Sequence, residues 1–248
     1  MKTPIKILFA LLLISSFYSC KPKKVSIGKG MINFNIEHKF GNNLLEVDPN
    51  KFYKNAADNT FNTSLLKYYL SNFILTNDKG EEVKLNNYEL IDMSKSSSLS
   101  FKYDNILNGK FNKLKFCVGV DSVANSTGDH TGALDPANGM DWGWNFGYRF
   151  FMFEGQYKKN DTTAATSYTY HIGTNENLFT VELPIDFELV DNSKSITMVL
   201  DIEKVLNTPN RWDFSKNDYN HSSNAQEVKD IKPFIENLKS SFSINSVK

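Results

Sequence analysis

Polar and apolar residues alternate along most of this chain. Ile32, Phe34, Ile36, His38 and Phe40 share one parity, as do Leu114, Phe116, Val118 and Val120, and later Ile196, Met198, Leu200 and Ile202. A period of two places each set on one face of a half-buried β-strand. The same pattern predicts strands near residues 65–75, 83–91, 99–103, 168–172 and 178–183. Turn clusters such as Asn77-Asp78-Lys79-Gly80 and Asn108-Gly109 separate them, and Pro184 closes one. Many short strands with frequent punctuation predict an antiparallel sandwich or barrel, and we read an all-β, antiparallel β-sandwich. Helical spacing is scarce. Val228, Ile231, Ile235 and Leu238 recur at three and four residues, with Ser223 and Gln226 as a capping pair and Pro233 distorting the middle. This predicts a short C-terminal helix over an open end of the sheets, and residues 51–56 suggest one further turn or two.

The stretch 132–148 joins a turn-rich loop to a run of aromatic rings. Asp135-Pro136 and Asn138-Gly139 are turn dipeptides, because proline pre-sets φ and glycine accepts positive φ. After them Trp142, Trp144, Phe146, Tyr148, Phe150 and Met152 share one parity, so a strand there would carry a single aromatic row.

At the N-terminus, Lys2 and Lys6 precede the apolar run 7–14, a stretch too short to span a bilayer, and Ser19-Cys20 follows where a lipoprotein is cleaved. We therefore expect a lipoprotein signal peptide at 1–20 and lipidation of Cys20. A tether at 21–30 and one domain at 31–248 would follow, giving a cell-envelope protein that meets the membrane through acyl chains only, periplasmic or on the outer-membrane surface. Lys plus Arg number 28 and Asp plus Glu 28, so the clustered positive charge that a nucleic-acid surface requires is missing. With Cys20 acylated, Cys117 is left alone. That excludes an internal disulfide framework, and its strand position opposite Phe116 and Val118 suggests a packed thiol.

Four histidines are the candidate metal ligands, imidazole being a common donor to copper and zinc. The parity of His38 points it inward, as a hydrogen-bonded core histidine or a ligand. His171 stands near a strand end before Gly173, where it would be a ligand or a surface residue. His221 lies in the polar run 217–223 ahead of the helix, and His130 is expected in solvent. No two fall within a short ligand motif, so any shared site must be assembled from distant strands. Asp121, Asp129, Asp135, Asn138 and Asp141 offer oxygen donors for calcium, or are turn-formers. The chain has no Gly-x-Ser-x-Gly elbow, His-Glu-x-x-His pair or phosphate loop, and we read a binding protein rather than an enzyme.

The ordered motifs also resemble a known family. Val118-Gly119-Val120-Asp121-Ser122, Gly132-Ala133-Leu134-Asp135-Pro136, Gly139-Met140, Trp142-x-Trp144, Gly147-Tyr148 and Glu154-Gly155 are similar to the MbnP-like family of bacterial copper-binding proteins, related to MopE and CorA. His38-x-x-Gly41, the segment 68–73, Tyr170-His171-Ile172-Gly173 and a late His221 extend the likeness over most of the chain. The resemblance implies copper acquisition or handling at a mononuclear centre. It makes His38 and His171 the leading ligands and His221 a third, with Trp142 or Trp144 as the tryptophan oxidised to kynurenine. An MbnH-like dihaem peroxidase is the implied partner for that oxidation. MopE and CorA carry a histidine two residues after the tryptophan, whereas Trp144 stands two after Trp142 here. The competing expectation is a surface lipoprotein that binds carbohydrate or a protein through the aromatic loop.

Overall fold

The computed structural model describes residues 28–127, 130–142, 147–160 and 162–248. The expectations for the signal and Cys20, for Asp129 and for Trp144 fall outside these residues. In strand β1 (Lys29–Phe40) the alternation becomes architecture: Ile32, Phe34, Ile36, His38 and Phe40 are buried, and the residues between them are not. One edge of β1 pairs in parallel with β12 (Ser193–Asp201), which in turn pairs with β14 (Phe242–Val247). The other edge is shared by β7 (Ser100–Leu107) and β2 (Asn43–Leu44).

The larger sheet is organised around β5 (Leu65–Asn77). Strand β6 (Glu82–Asp92) follows one of its edges, while β9 (Arg149–Lys158) pairs with residues 65–68 and β8 (Gly109–Val118) with residues 70–77 on the other. Strand β11 (Phe179–Leu189) lies beyond β8. Beyond β9 come β10 (Thr166–Gly173) and the two-residue β13 (Tyr219–Asn220), and β4 (Thr60–Thr63) links β3 (Asp48–Lys54) to β9. The two sheets close on one aromatic core in which Phe34 meets Phe73 at 5.3 Å and Phe116 meets Phe242 at 5.4 Å between ring centroids. This is the expected sandwich, although β1–β12 and β10–β13 are parallel pairs.

Three local expectations are corrected. Residues 51–56 fall mostly in strand β3, not a helix. Pro184 does not end its strand: it sits inside edge strand β11 beside a register shift, where a missing N–H interrupts no interior ladder. The strand after the turn-rich loop begins only at Arg149, so Trp142 belongs to the loop. The C-terminal helical region splits at the proline into α3 (Ala225–Asp230) and α4 (Lys232–Ser240), and Asn224 caps the first by accepting from Gln226 and Glu227 backbone N–H. Helix α4 buries Phe234, Ile235 and Leu238 and packs against α2 (Ile202–Asn207), covering one end of the sandwich.

The face of the larger sheet turned away from this core carries a second apolar layer. Within β5, Leu66, Tyr68 and Leu70 face the main core while Tyr69 faces the second layer. Asn72, at φ +52°, lies where β5 takes an extra residue relative to β8, after which Phe73 and Leu75 take over the inward positions. Residues 119–127, 130–142 and 147–148 lie over the outer face as a cover built on Val120, Leu134, Met140 and Tyr148 against Tyr69, Phe150 and Met152. The cover also contains the single-turn helix α1 (Ser122–Asn125), capped by Asp121. Tyr69 donates to the Ala133 carbonyl, Tyr148 to the Leu134 carbonyl, and Lys67 Nζ to the Asn138 carbonyl.

Candidate metal centre

Strand parity separates the histidines. Tyr170 and Ile172 of β10 face the main core, so His171 between them faces outward, opposite Met152 of β9. Strand β13 then pairs in parallel with β10, Thr169 beside Tyr219 and Tyr170 beside Asn220. The next step of that register sets His221 beside His171, and their rings stack at 4.4 Å and 17°. Trp142 completes the cluster, its indole 6.4 Å from the His221 ring and seated over Gly173, where a Cβ would come within 2.6 Å of Cζ3.

Each histidine is anchored through one nitrogen. His171 Nε2 lies 2.6 Å from Glu154 Oε1, and His221 Nδ1 lies 3.0 Å from the Tyr219 hydroxyl. The other nitrogens, His171 Nδ1 and His221 Nε2, are buried without a hydrogen-bond partner among the described residues. Such groups are costly unless they are used. Burial first, then the adjacent His171, holds the His221 pKa below the usual imidazole value, with Glu227 acting in the opposite direction. The neutral, metal-competent form is thereby favoured. Arg149 braces the tryptophan: its guanidinium lies 5.3 Å over the indole, and Nη1 donates to the Gly139 and Asp141 carbonyls at 3.0 Å each.

The structure does not bring His38 to this cluster. Its ring is buried between the sheets, 2.9 Å from the Tyr68 hydroxyl, and burial pushes its pKa down to about 4. His38 and His171 occupy opposite faces of the larger sheet, so the expected pairing of these two is replaced by His171 with His221. The inward reading of His38 holds, as a core histidine. His130 is half-buried rather than in solvent, with Nε2 near Thr127 Oγ1 and the Ala124 carbonyl. Three of the loop's candidate oxygen donors make local turn contacts: Asp121 accepts from Val123 and Ala124, Asp135 accepts from Ala137, and the Asn138 amide donates to the Gly132 and Ala133 carbonyls. Cys117 is partly exposed beside Thr180. Among the described residues no group of three or more histidine, cysteine, aspartate or glutamate side chains is gathered for a metal.

Fold and site together define an all-β sandwich protein with a histidine–tryptophan cluster on the outer face of its larger sheet, beneath a long loop. The chain belongs to the MbnP family, whose sequence profile, described as MbnP, matches residues 29–227. Among solved structures it is similar to MbnP from Methylosinus trichosporium, at 12% identity over 70% of this chain and 76% of that one, with a TM-score of 0.47. Comparison with curated proteins gives no match.

Proposed function

We propose that this chain is a copper-handling protein of the cell envelope whose mononuclear centre is built on His171 and His221, with Trp142 as the adjoining aromatic residue. One observation carries the reading: His171 of β10 and His221, just past β13, stack at 4.4 Å, and each keeps one buried nitrogen unpaired among the described residues. Imidazole nitrogen suits copper, and a soft, low-coordinate copper ion is satisfied by fewer protein donors than a closed zinc site demands. When bound, the metal would supply the charge and ligand bonds that these nitrogens lack. An imidazole lone pair lies in its ring plane and the two planes are nearly parallel, so one ring turns about its side chain when both donate to one ion. His221 is the freer of the two, because it follows a two-residue strand and precedes Ser222 at φ +52°.

Trp142 is in place for oxidation to kynurenine, the modification that the family likeness suggests, with an MbnH-like dihaem peroxidase as the partner that performs it. Acquisition or storage of copper beside a membrane, through a lipid at Cys20, is the cellular role that accords with an exported chain. The competing reading, a carbohydrate or protein platform, is less well supported. Tyr148 and Met140 of the loop are buried against the sheet, and Trp142 is partly buried beneath Arg149.

Metal analysis and intact mass of protein from its native host test this reading. We expect one copper per chain and the mass change of tryptophan-to-kynurenine conversion at Trp142. His171→Ala and His221→Ala should each abolish stoichiometric copper binding, while His130→Ala should not. Unchanged copper binding in both of the first two variants would move the weight to the platform reading.

A further inference from the structure

Glu154 belongs to β9 and His171 to β10, two residue pairs apart along the ladder and on the same outer face, so the carboxylate reaches diagonally across to the imidazole. The contact is short, at 2.6 Å between Oε1 and His171 Nε2. An ionised carboxylate only accepts hydrogen bonds, so Nε2 must carry the proton. Nδ1 is then left with a bare lone pair, and this is the nitrogen found buried and unpartnered. We infer that Glu154 is the positioning residue of the metal centre: it locks His171 in the Nε2–H tautomer and fixes its ring, so that Nδ1 is the atom offered to copper. This inference rests on the reading of His171 as a ligand.

The geometry separates this role from general packing. Glu154 is about a third exposed, at 31%, and its strand pairing runs through backbone groups that any side chain retains. Loss of the carboxylate should spare the fold. It should also free the imidazole to exchange tautomers and turn, with weaker electron donation to a bound metal. Removal of such an outer partner costs roughly 10–100-fold in metal affinity.

The experiment combines copper titration with nitrogen-15 NMR of the histidines in the purified, metal-free protein, comparing the unchanged chain with Glu154→Ala and Glu154→Gln. Copper is supplied in separate arms as Cu(I) under reductant and as Cu(II) in air, each competed against a chelator. We expect the unchanged chain to show His171 as the Nε2–H tautomer. Glu154→Ala should show mixed tautomers and an affinity lower by about 10–100-fold. Glu154→Gln keeps an oxygen acceptor and should restore both the tautomer and most of the affinity. Tight copper binding that Glu154→Ala leaves intact, or an Nδ1–H tautomer in the unchanged chain, overturns the role of Glu154. Failure of the unchanged chain to bind copper in either arm overturns the metal centre itself and this role with it.

Discussion

If His38 is a core histidine and not a ligand, its signature is the dependence of stability on pH. The imidazole is buried, its pKa is pushed down to about 4 from 6.5, and it meets the Tyr68 hydroxyl at 2.9 Å. The folded chain therefore keeps His38 neutral at pH values where the unfolded chain has already bound a proton. For a histidine depressed in this way, stability is fully present above pH 6.5, declines as pH falls, and stops declining near pH 4, where the folded state protonates as well. At pH 5 the unfolded chain holds nearly one more proton at this site. The folded state is then disfavoured by about 2 kcal/mol relative to pH 7.5, at roughly 1.4 kcal/mol per pKa unit.

The perturbation that isolates this effect is His38→Gln, which removes the titration and keeps a side chain able to reach Tyr68. Carboxylates titrate over the same range, so the informative quantity is the difference between the two proteins, measured by urea unfolding at pH 7.5, 6 and 5. At pH 7.5 the variant should be less stable, by roughly 1–3 kcal/mol for a disturbed buried hydrogen bond. That gap should shrink by about 2 kcal/mol at pH 5, because only the histidine protein pays the protonation penalty. Copper stoichiometry should be the same in both. A gap that stays constant or widens as pH falls would refute the buried neutral assignment, and loss of copper in His38→Gln would return His38 to the ligand set.

Gly173→Ala places a methyl group 2.6 Å from Trp142 Cζ3 and 2.6 Å from the Tyr148 carbonyl. Overpacking of this kind should cost about 1–3 kcal/mol, shift tryptophan emission and weaken copper binding; unchanged emission would mean that Trp142 does not rest on this strand. Lys67→Met removes the cation that faces Asp92 at 3.4 Å and the donor to the Asn138 carbonyl at 2.6 Å, with only 11% and 6% of the two charged side chains exposed. Asp92 keeps Lys95 at 3.7 Å and two hydrogen bonds from Ser94, so loss of its buried Lys67 partner should lower stability by about 1–3 kcal/mol and open residues 132–140 to protease. Proteolysis no faster than in the unchanged chain would show that the loop is held mainly by its apolar contacts.

The sandwich was legible because its strands are long enough for period two to register, as in β1 and β11, where buried and exposed residues alternate almost without fault. Misreadings occurred where a local feature was judged without its neighbours. Pro184 fits inside a strand because that strand is an edge with a register shift, and within residues 51–56 Tyr53 and Lys54 pair with β4 although the segment offers little alternation. The bulge of β5 against β8 at Asn72 reverses parity midway, a device that periodicity cannot anticipate without knowing where the ladder takes an extra residue.

The histidine cluster proposed as a metal centre was half legible for a related reason. Parity placed His38 inward correctly, but inward at β1 means the space between the sheets, whereas outward at β10 means the covered outer face. The decisive partner of His171 comes through β13, two residues long and far too short for any pattern, whose parallel register with β10 is set by tertiary packing. Glu154 was visible as part of the Glu154-Gly155 motif, with no role attached to its carboxylate. Its significance arises from a diagonal across two strands whose pairing the sequence does not state. A sheet therefore sorts identical side chains by face. The imidazole that shares a face with Phe34 is held neutral as part of the core. The one that shares a face with Glu154, beside His221 and Trp142, keeps a buried nitrogen with no hydrogen-bond partner among the described residues.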